Sequence, residues 1–135
     1  MPSKYIIDKV RGRIFSIGWD VVSSQELMEQ ARRVLSDPDF DPHYRQLWDL
    51  TDVIRFSATF PEMMAVAQLE VFAPATRRAI LAPSNATFGL ARMFQMLCEA
   101  RGETGIHVFR DRTEALRWLE FDKVPVQAAA PASRK

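Results

Sequence analysis

The chain has 135 residues, a length that suits one compact domain, and its 47% apolar and 26% charged residues are ordinary for a soluble globular protein. Eighteen Lys and Arg stand against 17 Asp and Glu, so a net charge of +1 supplies no global field to steer the chain toward nucleic acid. One cysteine, Cys98, excludes an internal disulfide, and no continuous apolar segment is long enough to span a membrane, so no stable membrane insertion is expected. The N-terminus Met1-Pro2-Ser3-Lys4 lacks a signal-peptide pattern, and with no cysteine framework the expected location is the cytoplasm.

Tyr5 to Arg11 reads as a first strand, and Arg13 to Trp19 as a second, joined by a turn at Gly12. So short a connection implies antiparallel pairing. Ser23-Ser24-Gln25-Glu26 offers a capping box for a helix whose inward face is Leu27, Ala31, Val34 and Leu35. Pro38 ends it and opens an acidic loop through Pro42. Gln46 to Leu50 forms the next strand, and Leu47-Trp48-Asp49-Leu50-Thr51-Asp52-Val53 runs from that buried strand into a polar loop.

Thr59-Phe60-Pro61-Glu62 is a second capping box, and its helix is expected to reach about Val71 with Met63, Val66, Ala67 and Leu69 inward. Arg77 to Leu81 returns to a strand that ends at Pro83-Ser84-Asn85. Ala86 to Arg101 is the longest helical pattern. Leu90, Met93, Phe94 and Leu97 make its core stripe, and Phe88, Ala91 and Met96 widen the apolar surface. That wider surface either lies beneath neighbouring helices or joins two copies of the chain, so Phe88, Ala91 and Met96 are interface candidates for a homodimer. Ile106 to Phe109 is a short strand, and Asp111-Arg112-Thr113-Glu114 starts a last helix anchored by Trp118 and Leu119. The domain is read as residues 1–122 and the Ala- and Pro-rich residues 123–135 as a flexible tail.

The order β-β-α-β-α-β-α-β-α is an α/β pattern whose parallel crossovers gather helix starts at one sheet edge. Asp49, Phe56, Ser57, Thr59, Phe60, Ser84, Asn85, Phe88 and Arg110 fall at those junctions and are the ligand-binding candidates. Helix-start N–H groups there can receive a carboxylate or phosphate. The plainer alternative makes Ser84 and Thr59 helix caps, Asp49 a partner of loop amides and Arg110 a solvated side chain. No glycine-rich phosphate fingerprint is present.

Asp49 and Asp52 are near neighbours but do not make an acid/base pair by proximity alone. His43 and His107 belong to no metal motif, and Ser57 lacks a nucleophile elbow. No catalytic residue, metal site or cofactor is assigned, and the expectation is a protein that is not an enzyme. Trp19, Trp48 and Trp118 read as core anchors rather than a stacking platform for nucleic acid. The pairs Arg32-Arg33 and Arg77-Arg78 read as solvated edges.

Leu47-Trp48-Asp49-Leu50-Thr51-Asp52-Val53, Ala82-Pro83-Ser84, Phe88-Gly89-Leu90-Ala91-Arg92-Met93-Phe94 and the run from Val108 to Leu119 occur in an order that resembles the SpoIIAA-like branch of the STAS superfamily over most of residues 5–120. The resemblance implies a STAS-like mixed sheet of four or five strands covered by helices, and a role in protein–protein regulation with a regulatory protein partner. It is also similar to the lipid-binding SEC14 type, which implies the alternative of a carrier or sensor for a small apolar or anionic ligand. The superfamily's anti-sigma-factor antagonists carry Asp-Ser-Ser-Gly, with the first serine phosphorylated. Ser57-Ala58-Thr59-Phe60 stands in that place, and Ala58 at the acceptor position cannot take phosphate. Ser57 or Thr59 would have to serve instead.

Overall fold

The computed structural model describes residues 2–131. Its elements are β1 (Ser3–Asp8), β2 (Arg13–Ser23), α1 (Ser24–Ser36), β3 (Arg45–Ser57), α2 (Phe60–Ala67), β4 (Arg78–Leu81), α3 (Asn85–Glu99), β5 (Ile106–Phe109) and α4 (Arg112–Leu119). The five strands form one sheet in the order β1-β2-β3-β4-β5, with β1 antiparallel to β2 and every later pair parallel. Each parallel crossover advances one strand in the same direction. Right-handed connections of that kind place their helices on one face. Accordingly Leu27 of α1, Ala67 of α2, and Ala91 and Cys98 of α3 pack over Leu50, Ile80 and Ile106.

The period-2 alternation of the strands divides the core. Ala79 and Leu81 face away from those three helices and meet Ala115 and Leu119 of α4, while Ile80 between them faces α2 and α3. On the α4 face, α4 contacts β3, β4 and β5. The chain after it covers Phe15: the Phe121 ring lies 5.3 Å from the Phe15 ring, and Ala128 is 6% exposed. Part of the predicted tail thus completes the core, because α4 alone is too short to cover β2. The remainder of that tail, residues 132–135, lies outside the described residues.

Several expected boundaries move. β3 continues to Ser57, so the expected polar loop after Leu50 is a strand. It pairs with an equally extended β2 as far as Ser23 and Ser57, with register shifts beside Gly18 and Asp20. α2 stops at Ala67, which lets Phe72 turn inward and meet Phe40 edge-on at 5.4 Å. In α1 the buried positions are Glu26, Gln30 and Val34, whereas Leu35 is 53% exposed. Ser23 does cap α1, but the Glu26 carboxylate accepts from the Ser3 hydroxyl rather than closing a capping box. The α2 box is complete, with Thr59 N–H donating to Glu62 and Glu62 N–H donating to Thr59 Oγ1.

A row of arginines at the strand starts holds the end of α4. The last carbonyls of a helix lack intrahelical donors and carry partial negative charge. Arg77 Nη1 donates to the Trp118 carbonyl at 2.8 Å, Arg45 Nη1 to Leu119 at 2.9 Å and Arg13 Nη2 to Glu120 at 3.3 Å. Arg45 also donates to the Glu120 carboxylate, and this bond holds that group below its ordinary 4.5. A carboxyl lowered on folding stabilises above its unfolded value, and the effect is lost as pH falls through the folded value. Urea unfolding followed downward from pH 6 is therefore expected to show stability falling below about pH 4.5, with a shallower fall in Arg45→Met.

Two glycines give opposite expectations. A Cβ at Gly105 would stand 2.0 Å from the Thr76 carbonyl oxygen, backbone that has no room to yield. Gly89, inside α3, has nothing within 4 Å of its Cβ position. Gly105→Ala is expected to cost about 3 kcal/mol or more, and Gly89→Ala to add roughly 0.5–1 kcal/mol, both read from urea unfolding midpoints.

Candidate functional site

The junction residues meet, but largely satisfy one another. Asp49 is 7% exposed; its Oδ1 accepts from the Thr51 amide and hydroxyl, and its Oδ2 pairs with Arg112 Nη2 at 2.6 Å. Arg112, which the sequence reading leaves as part of a capping box, is thus the arginine that reaches Asp49. Arg110 instead donates to the Pro83 carbonyl and stacks on Phe88, 4.0 Å from the ring centre. Ser84 and Thr59 are N-caps, Asn85 is the first residue of α3, and Ser57 is an exposed strand end. Phe60 is 52% exposed on the first turn of α2. Ser84, Thr59 and Asp49 each make a structural hydrogen bond.

The cavity lies elsewhere, over the middle of the sheet beneath α1, α2 and α3. It measures about 90 Å³, several times the roughly 10–15 Å³ that one water needs. Ala31 and Val34 of α1, Met63 and Ala67 of α2, and Ala91 and Phe94 of α3 form walls above a floor of Trp48, Leu50 and Ile80. Of the nine ligand-binding candidates only Phe56 lines it. Among the three interface candidates Ala91 is a cavity wall, 4% exposed, and Phe88 is half-buried beneath Arg110. Only Met96, 53% exposed, faces outward. The reason is helical phase: Thr87, Ala91, Gln95 and Cys98 are the buried positions of α3, one residue round from the stripe the larger side chains mark.

One end of the cavity is polar. Gln46, Arg78 and Glu103 line it, and they belong to a hydrogen-bonded row that crosses three strands. Gln46 Nε2 donates to Ser16 Oγ at 2.9 Å, Arg78 Nε to Gln46 Oε1 at 3.3 Å, and Arg78 Nη1 to Glu103 Oε2 at 3.2 Å. Arg101 Nη1 takes the other oxygen, Glu103 Oε1, at 3.0 Å. The Arg78 and Glu103 side chains are 14% and 9% exposed. Desolvation pulls the Arg78 guanidinium down from its ordinary value, and Glu103 opposes that pull; a guanidinium stays charged under both. Arg78 also lies over the Phe72 ring at 4.3 Å.

Arg77 is exposed, as expected of a solvated edge, but is also tied to the Trp118 carbonyl, and the expectation fails for Arg78. Strand alternation carries the missed signal: in Arg78-Ala79-Ile80-Leu81, Arg78 shares its face with Ile80 and so points beneath the helices. Cys98 also lines the cavity. Burial, with Glu103 close by, pushes its thiol up to about 12, so it is protonated and unreactive at neutral pH. Among the described residues no three His, Cys, Asp or Glu side chains gather as a metal site requires, and no helix is long and apolar enough to cross a membrane.

No family model matches the chain, and no curated protein matches it significantly. The chain is similar to a crystal structure of an uncharacterized protein of the DUF3478 family, with a SpoIIAA-like fold, from Shewanella loihica PV-4. That likeness has a TM-score of 0.53 at 13% identity and covers 87% of this chain and 93% of the other. This chain has a SpoIIAA-like α/β fold with a mixed five-stranded sheet.

Removing one member of a buried ion pair leaves the other desolvated and unpaired, at about 3–5 kcal/mol. Arg78→Met is expected to lose less than that, about 1–3 kcal/mol, because Glu103 keeps its bond from Arg101. The double change Arg78→Met with Glu103→Gln is expected to recover part of it, since no buried carboxylate then remains and Arg101 keeps its bond to Glu70. Urea unfolding of the two single variants and the double variant closes the cycle, and additive losses would show that the pair is not coupled.

Proposed function

We propose that the protein is a non-enzymatic binding module whose cavity takes a small, largely apolar ligand. The observation that carries this reading is the unfilled space beneath three helices, lined by aliphatic and aromatic side chains with a few convergent polar groups. Binding sites for small molecules have that composition. Small side chains create the space: Ala31, Ala67 and Ala91 each stand where a larger residue would close it. The junction groups give a catalytic reading little support, since Asp49, Thr59 and Ser84 are held by helix and loop contacts.

A regulatory role attaches to α2. Met63, Val66 and Ala67 line the cavity, while Phe60 and Met64 on the same helix are 52% and 37% exposed. A ligand that shifts α2 changes the surface offered to a protein partner. In this reading regulation comes from occupancy, with no need for phosphate at Ser57 or Thr59. Met96, on the outer side of α3, remains the outward residue through which two copies can associate.

Native mass spectrometry of the purified full-length chain tests the reading. The expected result is a mass above that of the denatured chain, or of an integral oligomer, by a small-molecule increment that disappears on denaturation. A bare mass, together with no rise in melting temperature across a panel of small apolar compounds, would sink the ligand reading and leave a module that works by protein contact alone.

A further inference from the structure

We infer that the cavity prefers a ligand bearing one carboxylate, a small aliphatic monocarboxylic acid, with Arg78 anchoring its head group. This inference rests on the ligand-binding reading above and specifies the class of ligand.

Arg78 lines the cavity, and its guanidinium has only part of its donor capacity used. Nε donates to Gln46 and Nη1 to Glu103, and no acceptor among the described residues takes a proton from Nη2. Nor is Nη2 sealed away. Among the described residues the one fully buried side-chain polar atom without a partner is Gln95 Oε1, so Nη2 is not fully buried. A guanidinium presents its donors in a planar fork that matches a carboxylate.

Charge favours the same class. Glu103 has both oxygens engaged, one by Arg78 and one by Arg101, so two guanidiniums share the one buried carboxylate of the cluster. Cys98, which lies against the cluster, is a neutral thiol. Glu70 pairs with Arg101 from an 86% exposed position, where solvent screens it. An acid entering the cavity would accept from Nη2 and lay its chain along Ile80, Leu50 and Phe56. A volume of about 90 Å³ corresponds to roughly six to nine water-sized positions, which limits the chain to a short one.

The test uses the full-length wild-type protein at neutral pH and three probes of equal chain length: hexanoate, hexan-1-ol and hexylamine. Calorimetric titration is expected to show hexanoate binding about tenfold or more tighter than hexanol, the margin of one charge-assisted hydrogen bond, and hexylamine weakest. In Arg78→Met with Glu103→Gln, where no buried carboxylate remains and Arg101 keeps Glu70, hexanoate is expected to bind no tighter than hexanol. Equal binding of acid and alcohol to the wild type overturns the head-group inference and leaves the apolar cavity reading intact. Binding of none of the three overturns both. Retention of the acid preference in the double variant removes Arg78 as the anchor. The wild-type series stands whether or not the variant folds.

Discussion

A charged guanidinium lies between the sheet and its covering helices, and much of the structure follows from the need to neutralise it. Arg78 enters the interior because strand alternation puts it on the same face as Ile80. An isolated charge there would be prohibitive, so it requires a carboxylate and hydrogen-bond acceptors in fixed places. Gln46 supplies one acceptor from the neighbouring strand, and Glu103 supplies the carboxylate from the connection between α3 and β5. That connection cannot wander. It is bound through Glu103 and pressed against Thr76 at Gly105, where no side chain fits. The polar row therefore fixes β3, β4 and the approach to β5 together, and a network of this kind is specific only when nearly every member is satisfied.

The two faces of the sheet solve different problems. Three crossovers in one direction crowd α1, α2 and α3 onto a single face, and their small residues leave the space that becomes the cavity. The other face receives one short helix, which cannot cover five strands. The chain compensates in two ways. Phe121 and Ala128 extend the apolar cover over Phe15, and Arg13, Arg45 and Arg77 hold the helix by its carbonyl end. Those arginines sit at the starts of β2 and β3 and just before β4, so strand register places their side chains in a row. The α4 end is thereby tied to the strand starts, opposite the edge where Arg112 pairs with Asp49.

Element order, strand direction and most helix starts are legible in the sequence, because they rest on local chemistry. Ser23, Thr59, Ser84 and Asp111 all cap the helices that their spacing announces. Element ends are less legible. The second half of β3 reads as a loop until its partner is known, since Thr51 to Ser57 gains strand hydrogen bonds only from the extended β2. The site is least legible. Glu103 and Arg78 lie 25 positions apart and look like surface charges individually. Only alternation in β4, together with a carboxylate in a glycine-flanked turn, marks them as a buried pair. The outward reading of Ala91 fails for a related reason: large residues dominate a helical pattern, while small ones mark where a helix comes closest to its neighbours.

The same distinction separates the junction edge from the cavity as places for function. At the edge, each group has a structural partner close by: Ser84 and Thr59 bond their own helix starts, Asp49 bonds Thr51 and Arg112, and Arg110 covers Phe88. A ligand arriving there would have to displace those bonds, and the net gain would be small. Within the cavity the relation reverses. Apolar walls already surround the space, and Arg78, which lines it, has one donor without a protein acceptor, so a ligand of the proposed kind would add contacts without displacing a protein bond. Affinity arises where the fold leaves groups incomplete, and the charge that constrains this fold most is also the one it leaves incomplete.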